Sequence, residues 1–461
     1  MIARRIAAGL VAVLLAAAPA RAASIDLGQA QIAALAAASA GRHAEALELA
    51  RAILRVSPGD AFAQYVIGTV MLWQGHPREA MQAGQGAFHA AGSKVQKHES
   101  ARLVATAALQ GDKPLLARYW LRHAADAAPD PTRRAGAERA LAALRAATPW
   151  SAQLRFGIQP SSNVNAGASS RHNVIDGVPL TGLLSDDAMA LPGVVGTLDA
   201  RLGYRLRRTE ASETQVSLSL GLRAVELEGR PTTETRGPSG EIVETEISNS
   251  SFGASSAELG LRHSIATPAK GGSVALDLAA GRAWSAGAVA YDYLRLGADR
   301  SPAGHGFFYG AGFEQRAAPG TGRDQSIASL RGGWRGVASN GTGFTLSLGL
   351  RHVEADRANA RGDAVSAQIS VQPARQIGPV GLSASFGLSY SDFPDYTLGF
   401  ISVPGGRQET LGFAELDLWL PNASYAGFAP QVKLRALETR SNVSSFERRE
   451  LSVSIGFRSN F

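Results

Sequence analysis

The chain has 461 residues, of which 45% are apolar and 18% charged, and its formal net charge is +7. After the first twenty residues no run approaches the about eighteen apolar residues that a membrane helix needs, which excludes a helical membrane protein. A membrane-spanning β-barrel is not excluded, because lipid-facing and lumen-facing residues alternate and average to an ordinary composition. The chain has no cysteine, which excludes disulfides and thiolate metal sites. Its basic residues are dispersed, so we expect no nucleic-acid partner.

The N-terminus has the three parts of a secretion signal. Arg4 and Arg5 precede an apolar run from Ile6 to Ala18, and Ala20-Arg21-Ala22 has the small-x-small form of a cleavage site. This run is too short to span a hydrocarbon layer of roughly 30 Å. We therefore expect residues 1–22 to be a signal peptide.

The next segment, over residues 23–148, is predicted to be an all-α domain. It is rich in Ala and Leu at helical spacing, and Gly or Pro interrupts it at 41, 58–59, 75–77, 111–112 and 129–131. Gly41 and Gly75 lie 34 residues apart, which is the period of the tetratricopeptide repeat. The segment resembles that family, with units over 27–60 and 61–94, a looser third over 97–130 and a capping helix over 132–147.

Stacked helical hairpins present a concave groove that binds extended peptides or partner surfaces. Four side chains of the second unit fall where such hairpins face the groove, and we expect them to contact a client protein: Phe62, Tyr65, Thr69 and Trp73. The alternative is that the large rings of Phe62 and Trp73 pack between the helices.

At Pro149-Trp150 the apolar period changes from 3.6 to 2 and remains 2 to the end of the chain. The alternation predicts strands near 151–159, 198–206, 215–223, 255–264, 273–284, 290–299, 306–316, 325–335, 342–353, 363–372, 380–390, 409–420, 430–438 and 449–461. About fourteen strands fit an antiparallel transmembrane β-barrel over 149–461, since bacterial barrels generally have an even number. A soluble β-sandwich or solenoid is the alternative.

The connections predict how the barrel is oriented. Those after odd-numbered strands include the long polar segments 160–193, 228–252 and 391–407, whereas those after even-numbered strands are short. Outer-membrane barrels have long loops outside the cell and short turns in the periplasm. We therefore expect the helical domain to lie in the periplasm.

The last strand ends in a row of apolar and aromatic residues. Ile455, Phe457 and Phe461 share one parity, and the strand ends on an aromatic residue. Such a strand resembles the signal read by the barrel-assembly machinery, which we expect to be a partner during biogenesis, with outer-membrane lipid as the surrounding medium.

The polar parity of the strands predicts a lumen lined by charges of both signs. The candidate lining residues are Arg155, Asp199, Arg201, Arg205, Arg223, Glu258, Asp277, Arg295, Arg331, Arg351, Glu415, Asp417 and Arg435, and the same parity adds Arg262, Asp292, Glu314 and Lys433. They fit a wall braced by ion pairs, a lining for a translocated chain, or both. The mixed signs argue against a strongly selective ion channel, whose filter uses rings of one sign.

No enzyme motif is present: there is no Gly-x-Ser-x-Gly, no His-Glu-x-x-His and no phosphate-binding glycine loop. His263 and His352 share parity with lipid-facing leucines and sit near strand ends. We therefore expect no catalytic residue, no metal site and no cofactor.

The segment from Leu154 to Gly167, with Ser162-Asn163-Val164-Asn165 after the first strand, is similar to the opening of the barrel in the surface lipoprotein assembly modulator family. The whole mature chain resembles that family in its order of signal peptide, repeats and barrel. The resemblance implies that the repeats engage a periplasmic client, a surface lipoprotein or a soluble secreted protein, which then passes through or along the barrel to the cell surface.

A polysaccharide exporter also joins tetratricopeptide repeats to an outer-membrane barrel, and is the alternative. Such exporters tend to have longer repeat arrays, and those that carry acidic polymers have an Arg-rich lumen. Here the array is short and the lumen charges are mixed.

Overall fold

The computed structural model describes residues 26–236, 241–267, 271–320, 322–420, 423 and 428–460. The predicted signal peptide and Phe461 lie outside these residues. The chain divides into two compact units, with the division between Ala137 and Glu138. Among the helices described, none combines the length and the apolar character needed to cross a membrane.

The first unit consists of helices that follow one another in antiparallel hairpins. Their bounds are α1 Leu27–Ser39, α2 His43–Val56, α3 Ala61–Trp73, α4 Pro77–Ala90, α5 Lys94–Gln110, α6 Pro114–Asp126 and α7 Pro131–Ala147, the last of which crosses the division between the units. Every predicted breaker falls between two helices or at the first residue of a helix. Pro77, Pro114 and Pro131 each open a helix, where a missing N–H costs nothing.

The three hairpin turns share one geometry although their sequences differ. Gly41 and Gly75 have φ angles of 73° and 80°, and Asp112 takes the same place in the third turn with a φ of 53°. In each turn the next amide, such as that of Lys113, donates to a carbonyl five residues back. The third hairpin departs from the 34-residue period because α5 has 17 residues where α1 and α3 have 13, which is about one extra helical turn.

Small residues allow these helices to pack closely. Ala46, Ala50, Ala63, Val66 and other small side chains are fully buried in one cluster. Gly68 of α3 faces α4 and α5, where an added Cβ would lie 2.8 Å from Leu103 Cδ2 and 3.3 Å from the Ala80 carbonyl oxygen. The position therefore has no room for a side chain.

The second unit is a closed barrel of fourteen antiparallel strands, as predicted. The strands are β1 Trp150–Ser161, β2 Gly193–Arg208, β3 Ser212–Leu227, β4 Ala254–Ala266, β5 Ser273–Ser285, β6 Ala288–Ser301, β7 Gly306–Ala317, β8 Gln325–Val337, β9 Gly343–Ala355, β10 Gly362–Gln372, β11 Gly381–Phe393, β12 Arg407–Trp419, β13 Phe428–Ser441 and β14 Arg448–Asn460. Each pairs with the next, and β14 pairs with β1. The register of that closing pair omits Gln159 and Pro160, and proline has no amide to donate.

The barrel exposes its large apolar side chains on the outside. Residues such as Leu218, Leu259, Leu294, Leu348 and Leu388 are exposed, and each shares strand parity with other exposed leucines. Near the ends of the strands, outward-facing aromatic rings form contacting pairs, for example Trp150 with Tyr204 and Trp334 with Phe344. An apolar outer surface flanked by aromatic rings is the outer face of a membrane barrel.

The two ends of the barrel differ in their connections. Long segments follow β1, β3 and β11, namely 162–192, 228–253 and 394–406, and we call this the long-loop end. The other connections are short, and the turn between β5 and β6 is only Ala286-Gly287, so the asymmetry comes from three of the seven connections at this end. Segment 162–192, called loop 1 from here on, contains a hairpin made by His172–Ile175 and Val178–Leu183.

Candidate functional site

The lumen of the barrel is a wet, charged surface with two clusters of ion pairs. In the first cluster, Arg262 of β4 donates to Asp277 at 2.6 Å and to Asp299 at 3.1 Å. Arg331 of β8 lies 3.8 Å from the same Asp299, so these charges link β4, β5, β6 and β8 and reach across β7. The Asp299 side chain is only 9% exposed, and its charge is compensated by these two guanidinium groups.

The same cluster continues toward the long-loop end. Arg295 pairs with Glu258 at 2.5 Å and approaches Glu314 at 3.7 Å, while the Tyr293 hydroxyl donates to Glu258 at 2.9 Å. Arg316 also pairs with Glu314. Together the pairs link β4, β6 and β7 by side chains in addition to the backbone ladder.

The second cluster lies where the barrel closes. Lys433 of β13 lies 2.8 Å from Glu415 and 3.7 Å from Asp417. Arg435 lies over the ring of Phe413, with its guanidinium carbon 5.3 Å from the ring centre. A recess of about 460 Å³ at the inner face of β12, β13, β14 and β1 is lined by Glu415, Asp417, Lys433, Arg435 and Arg155, among others.

Between the two clusters, the wall of β9, β10 and β11 carries a row of small polar side chains. Ser347, Ser366, Ser370, Ser385 and Ser389 occupy lumen-facing positions on these strands, and Ser370 and Ser385 are hydrogen bonded at 2.9 Å.

Several candidate lining residues are hydrogen bonded to the barrel wall or to the segments next to it. Arg201 donates to the Ser217 hydroxyl, and Arg223 donates to the carbonyl of Val164 in loop 1. Arg205 donates to the carbonyls of Ala146 and Thr148 and so braces the chain that leads into β1. Two other candidates are placed by the register of the barrel strands. Asp199 lies opposite Arg155, and Arg351 lies opposite Ser329.

Asp292 was predicted to face the lumen, and this is wrong. Asp292 shares strand parity with the exposed Leu294 and Leu296, whereas the lumen-facing Arg295 and Asp299 have the opposite parity. Asp292 therefore lies on the outer face, where it forms a bidentate pair with Arg282. Tyr291 takes the inward position instead.

The two histidines that lie within barrel strands, His263 and His352, are on the outer face. His263 is hydrogen bonded to Thr214 at 2.8 Å, and His352 to Asp363 at 2.8 Å. Within the described residues no group of three or more His, Cys, Asp or Glu side chains could hold a metal ion.

The four groove candidates occupy different surroundings. Phe62 packs against the apolar cluster of the first hairpin, and the Trp73 ring is 52% exposed and stacks on His43 at 5.8 Å. Tyr65 is near Glu99 of α5, and its pKa is raised by burial and then by the Glu99 charge. Thr69 donates to the Tyr65 carbonyl one turn earlier. Tyr65 and Thr69 therefore face α5, whereas Phe62 serves packing.

The segment on which the family resemblance rests holds the base of loop 1. Asn163 is buried, and its amide makes two hydrogen bonds of 2.8 Å with the backbone of Gly167. Asn165 donates to the Met189 carbonyl and accepts from the Leu191 amide, which ties the two arms of the loop together. A Cβ on Gly167 would overlap the backbone of Met189, so only glycine fits there. The asparagines of this segment therefore serve to hold the base of loop 1 together.

At the end of the last strand, Ile455 and Phe457 face outward. Phe457 stacks on Phe156 of β1 with ring centres 5.1 Å apart, and Phe428 of β13 is 6.0 Å from Phe156. These rings cover the closing pair of strands on the outer face. Phe461, the third residue of the expected assembly signal, lies outside the described residues.

No known family model matches the chain, and no curated protein matches it. Solved structures match the barrel: a "Bacterial polysaccharide outer membrane secretin" has 12% identity and a TM-score of 0.36, covering 67% of this chain and 98% of that chain. OprB of Pseudomonas putida has 11% identity and a TM-score of 0.38, with coverages of 70% and 96%. The beta domain of the Bordetella autotransporter BrkA has 10% identity and a TM-score of 0.29, with coverages of 68% and 100%. Similarity of this degree says nothing about the function of this chain.

Proposed function

We propose that this protein is an outer-membrane translocator that engages a periplasmic client protein with its helical hairpins and delivers it, through or along the barrel, to the cell surface. The observation that carries the proposal is the joining, in one chain, of three stacked helical hairpins and a closed barrel with a charged lumen. Helical-hairpin stacks bind extended peptides in their groove, and barrels of this class carry material across the outer membrane. The client would be a surface lipoprotein or a soluble secreted protein.

The connections of the barrel support a periplasmic position for the helices. With fourteen antiparallel strands, β1 begins and β14 ends at the end opposite the long loops. In outer-membrane barrels that end faces the periplasm. The chain that precedes β1 then emerges on the periplasmic side, where a secreted client would be met.

The groove has the chemistry expected for a peptide. Tyr65 and Thr69 of α3 lie near the Glu99 and Arg102 pair of α5, so a hydroxyl, a phenol and both signs of charge share one surface. Such groups bind the amides and carbonyls of an extended chain as well as its charged side chains. We propose that a client segment lies across α3 and α5.

The test is photo-crosslinking from the groove in living cells. A photoreactive phenylalanine at Tyr65 is expected to capture one protein, and deletion of the gene for this translocator should remove that protein's sensitivity to protease added outside the cells. Arg102→Glu should reduce capture and display. Arg42→Glu is the matched control, because Arg42 is 58% and Arg102 56% exposed and each pairs with a glutamate three residues away.

Unchanged display of the captured protein after gene deletion would refute the proposal. Loss of a surface polysaccharide, with every surface protein in place, would instead support the exporter alternative. In that case the positive charges of the lumen would be expected to contact the polymer.

A further inference from the structure

Loop 1 contacts parts of the barrel mouth that lie on both sides of β1. Its first edge is formed by Val164 and Leu191, which are buried against Val195 of β2 and Val225 and Leu227 of β3. Val195 and Val225 lie on the parity of Arg201 and Arg223, which is the lumen side of these strands. Ile247, from the connection between β3 and β4, completes the cluster. Apolar contact therefore fixes this edge of loop 1 inside the mouth of the barrel.

The other edge of loop 1 is its hairpin, which contacts the loops after β11 and β13. Ile175 is buried with Tyr396, Val403 and Val443, and it forms a backbone bridge to Val443. The amide of Val174 donates to the Ser444 hydroxyl at 2.8 Å, and the Ser444 hydroxyl donates to the His172 carbonyl at 2.7 Å. Loop 1 is thus joined to connections from β3–β4 on one side and from β11–β12 and β13–β14 on the other.

Arg407 is the residue around which the second edge is built. It begins β12 on the lumen parity, and its side chain is only 10% exposed. Its guanidinium carbon lies 3.8 Å from the centre of the Phe393 ring, 3.9 Å from that of Phe446 and 4.7 Å from that of Tyr396. Glu409 Oε1 lies 3.0 Å from Arg407 Nε. A charge held among three ring faces with one carboxylate is a desolvated cation–π arrangement.

The same three rings also pack against the loop 1 hairpin. Phe393 and Phe446 lie against the cluster of Ile175 and Tyr396, together with Leu180 from the second strand of the hairpin. Arg407 therefore holds in place the surface on which loop 1 rests. No sequence motif marks these residues, because they come from a strand end and two separate loops.

We propose that loop 1 is a gate across the long-loop end of the barrel, and that Arg407 with Phe393, Tyr396 and Phe446 is the latch that keeps it shut. In this arrangement the lumen recesses stay closed from that end until the hairpin leaves the three rings. The base of the loop, tied by Asn163 and Asn165, remains in place and acts as the hinge. The inference concerns closure of the pore and does not depend on the identity of a client.

The experiment is ion conductance of the purified full-length protein in planar lipid bilayers with KCl on both sides. The native protein is expected to open rarely, and Arg407→Ala to raise the open probability about tenfold, since a desolvated cation–π contact is lost. The control is Arg440→Ala, which removes an arginine of β13 near the same end that is 78% exposed and pairs with Glu438. It should conduct as rarely as the native protein.

A disulfide tests the gate independently. Because the chain has no native cysteine, Ile175→Cys with Val443→Cys gives the one possible bond, between residues that already form a backbone bridge. When this pair is added to Arg407→Ala, the oxidised protein should be silent, and reduction should restore conductance. Folding of each variant is checked by heat-modifiable migration on gels.

Two results would overturn the gate. One is that folded Arg407→Ala, and a folded variant in which 168–190 is replaced by a short Gly-Ser linker, both open as rarely as the native protein. The other is that the oxidised cysteine pair conducts as well as the reduced one. Neither result would bear on client binding by the helices, so failure of the gate and failure of the proposed function are distinguishable.

Discussion

The two units of this protein are stabilised in opposite ways. The helical unit has a core of alanine and glycine, in which Ala46, Ala63 and Ala80 are fully buried and helix backbones approach each other closely. The barrel points its leucines outward and its charges inward, and it is held by a backbone ladder that closes on itself. A close-packed core is sensitive to added volume, whereas a closed ladder with a wet interior is much less so.

This contrast is tested most strongly by the same substitution in each unit. Gly68→Leu is expected to destabilise the helical unit by upwards of about 3 kcal/mol, because the new side chain has to displace Leu103 and the α4 backbone. The measurement is thermal loss of the helical circular dichroism signal at 222 nm in detergent. Such a loss should leave barrel migration on gels unchanged.

Gly196→Leu is the matched control for Gly68→Leu. Gly196 lies on β2 with the parity of the outward-facing Leu198, and a Cβ there would meet no atom within 4 Å. We expect no loss of barrel or helix stability. Equal destabilisation by the two substitutions would show that the units do not differ in packing as described.

Much of the architecture could be predicted from the sequence, because each unit has a regular period. All fourteen predicted strands overlap the observed ones, since strict alternation over about ten residues is typical of a strand with one apolar and one polar face. The one wrong lumen assignment, Asp292, placed two residues of opposite parity, Asp292 and Arg295, on the same face of β6. Counting by two from the outward-facing Leu294 and Leu296 places Asp292 on the outer face, where it is found.

The mouth of the barrel could not be predicted in the same way. Arg407, Phe393, Tyr396 and Phe446 are brought together by three chain segments, and no spacing in the sequence relates them. Asn163 and Asn165 stand out in the sequence only through a family resemblance, which does not reveal their hydrogen bonds within loop 1. Contacts among loops depend on tertiary placement, which local patterns do not encode.

The second-largest expected effect is a loss of stability of the helical unit at acidic pH. In α6 the pKa of His123 is lowered from 6.5 to about 4, first by burial and then by the charge of His89. The unfolded chain therefore binds a proton between these values and the folded one does not, so stability is lost as the pH falls from 6.5 to about 4. We expect a loss of roughly 2–3 kcal/mol in the helical transition.

The control for this pH dependence is His123→Phe, since the ring of His123 lies among Phe88, Tyr119 and Trp120. That variant should flatten the dependence between pH 6.5 and 4. If native and variant proteins lost helical stability in parallel over this range, another group would be responsible.

The lumen ion pairs should have a smaller effect. Arg262→Ala leaves Asp277 and the largely buried Asp299 with less compensation, but lumen water screens the loss, so we expect about 1 kcal/mol. The temperature at which the folded barrel band disappears on gels measures it. Arg282→Ala is the control, because Arg282 makes an equally short pair with Asp292 on the outer face, where both side chains are exposed. A larger shift for Arg282→Ala would contradict the bracing role of the lumen network.

The smallest expected effect is a gain in stability within the helical unit. Asp112 occupies the left-handed position that Gly41 and Gly75 fill in the first two hairpin turns, with the same pair of capping hydrogen bonds. A residue with a Cβ is strained there and glycine is not, so Asp112→Gly should stabilise the unit by roughly 0.5–1 kcal/mol. The reciprocal substitution, Gly75→Asp, should destabilise it by a similar amount, measured by the same helical signal. If Asp112→Gly were neutral while Gly75→Asp was costly, the one-turn extension of α5 would have to relieve the strain, and the three turns would be alike in geometry but not in energy.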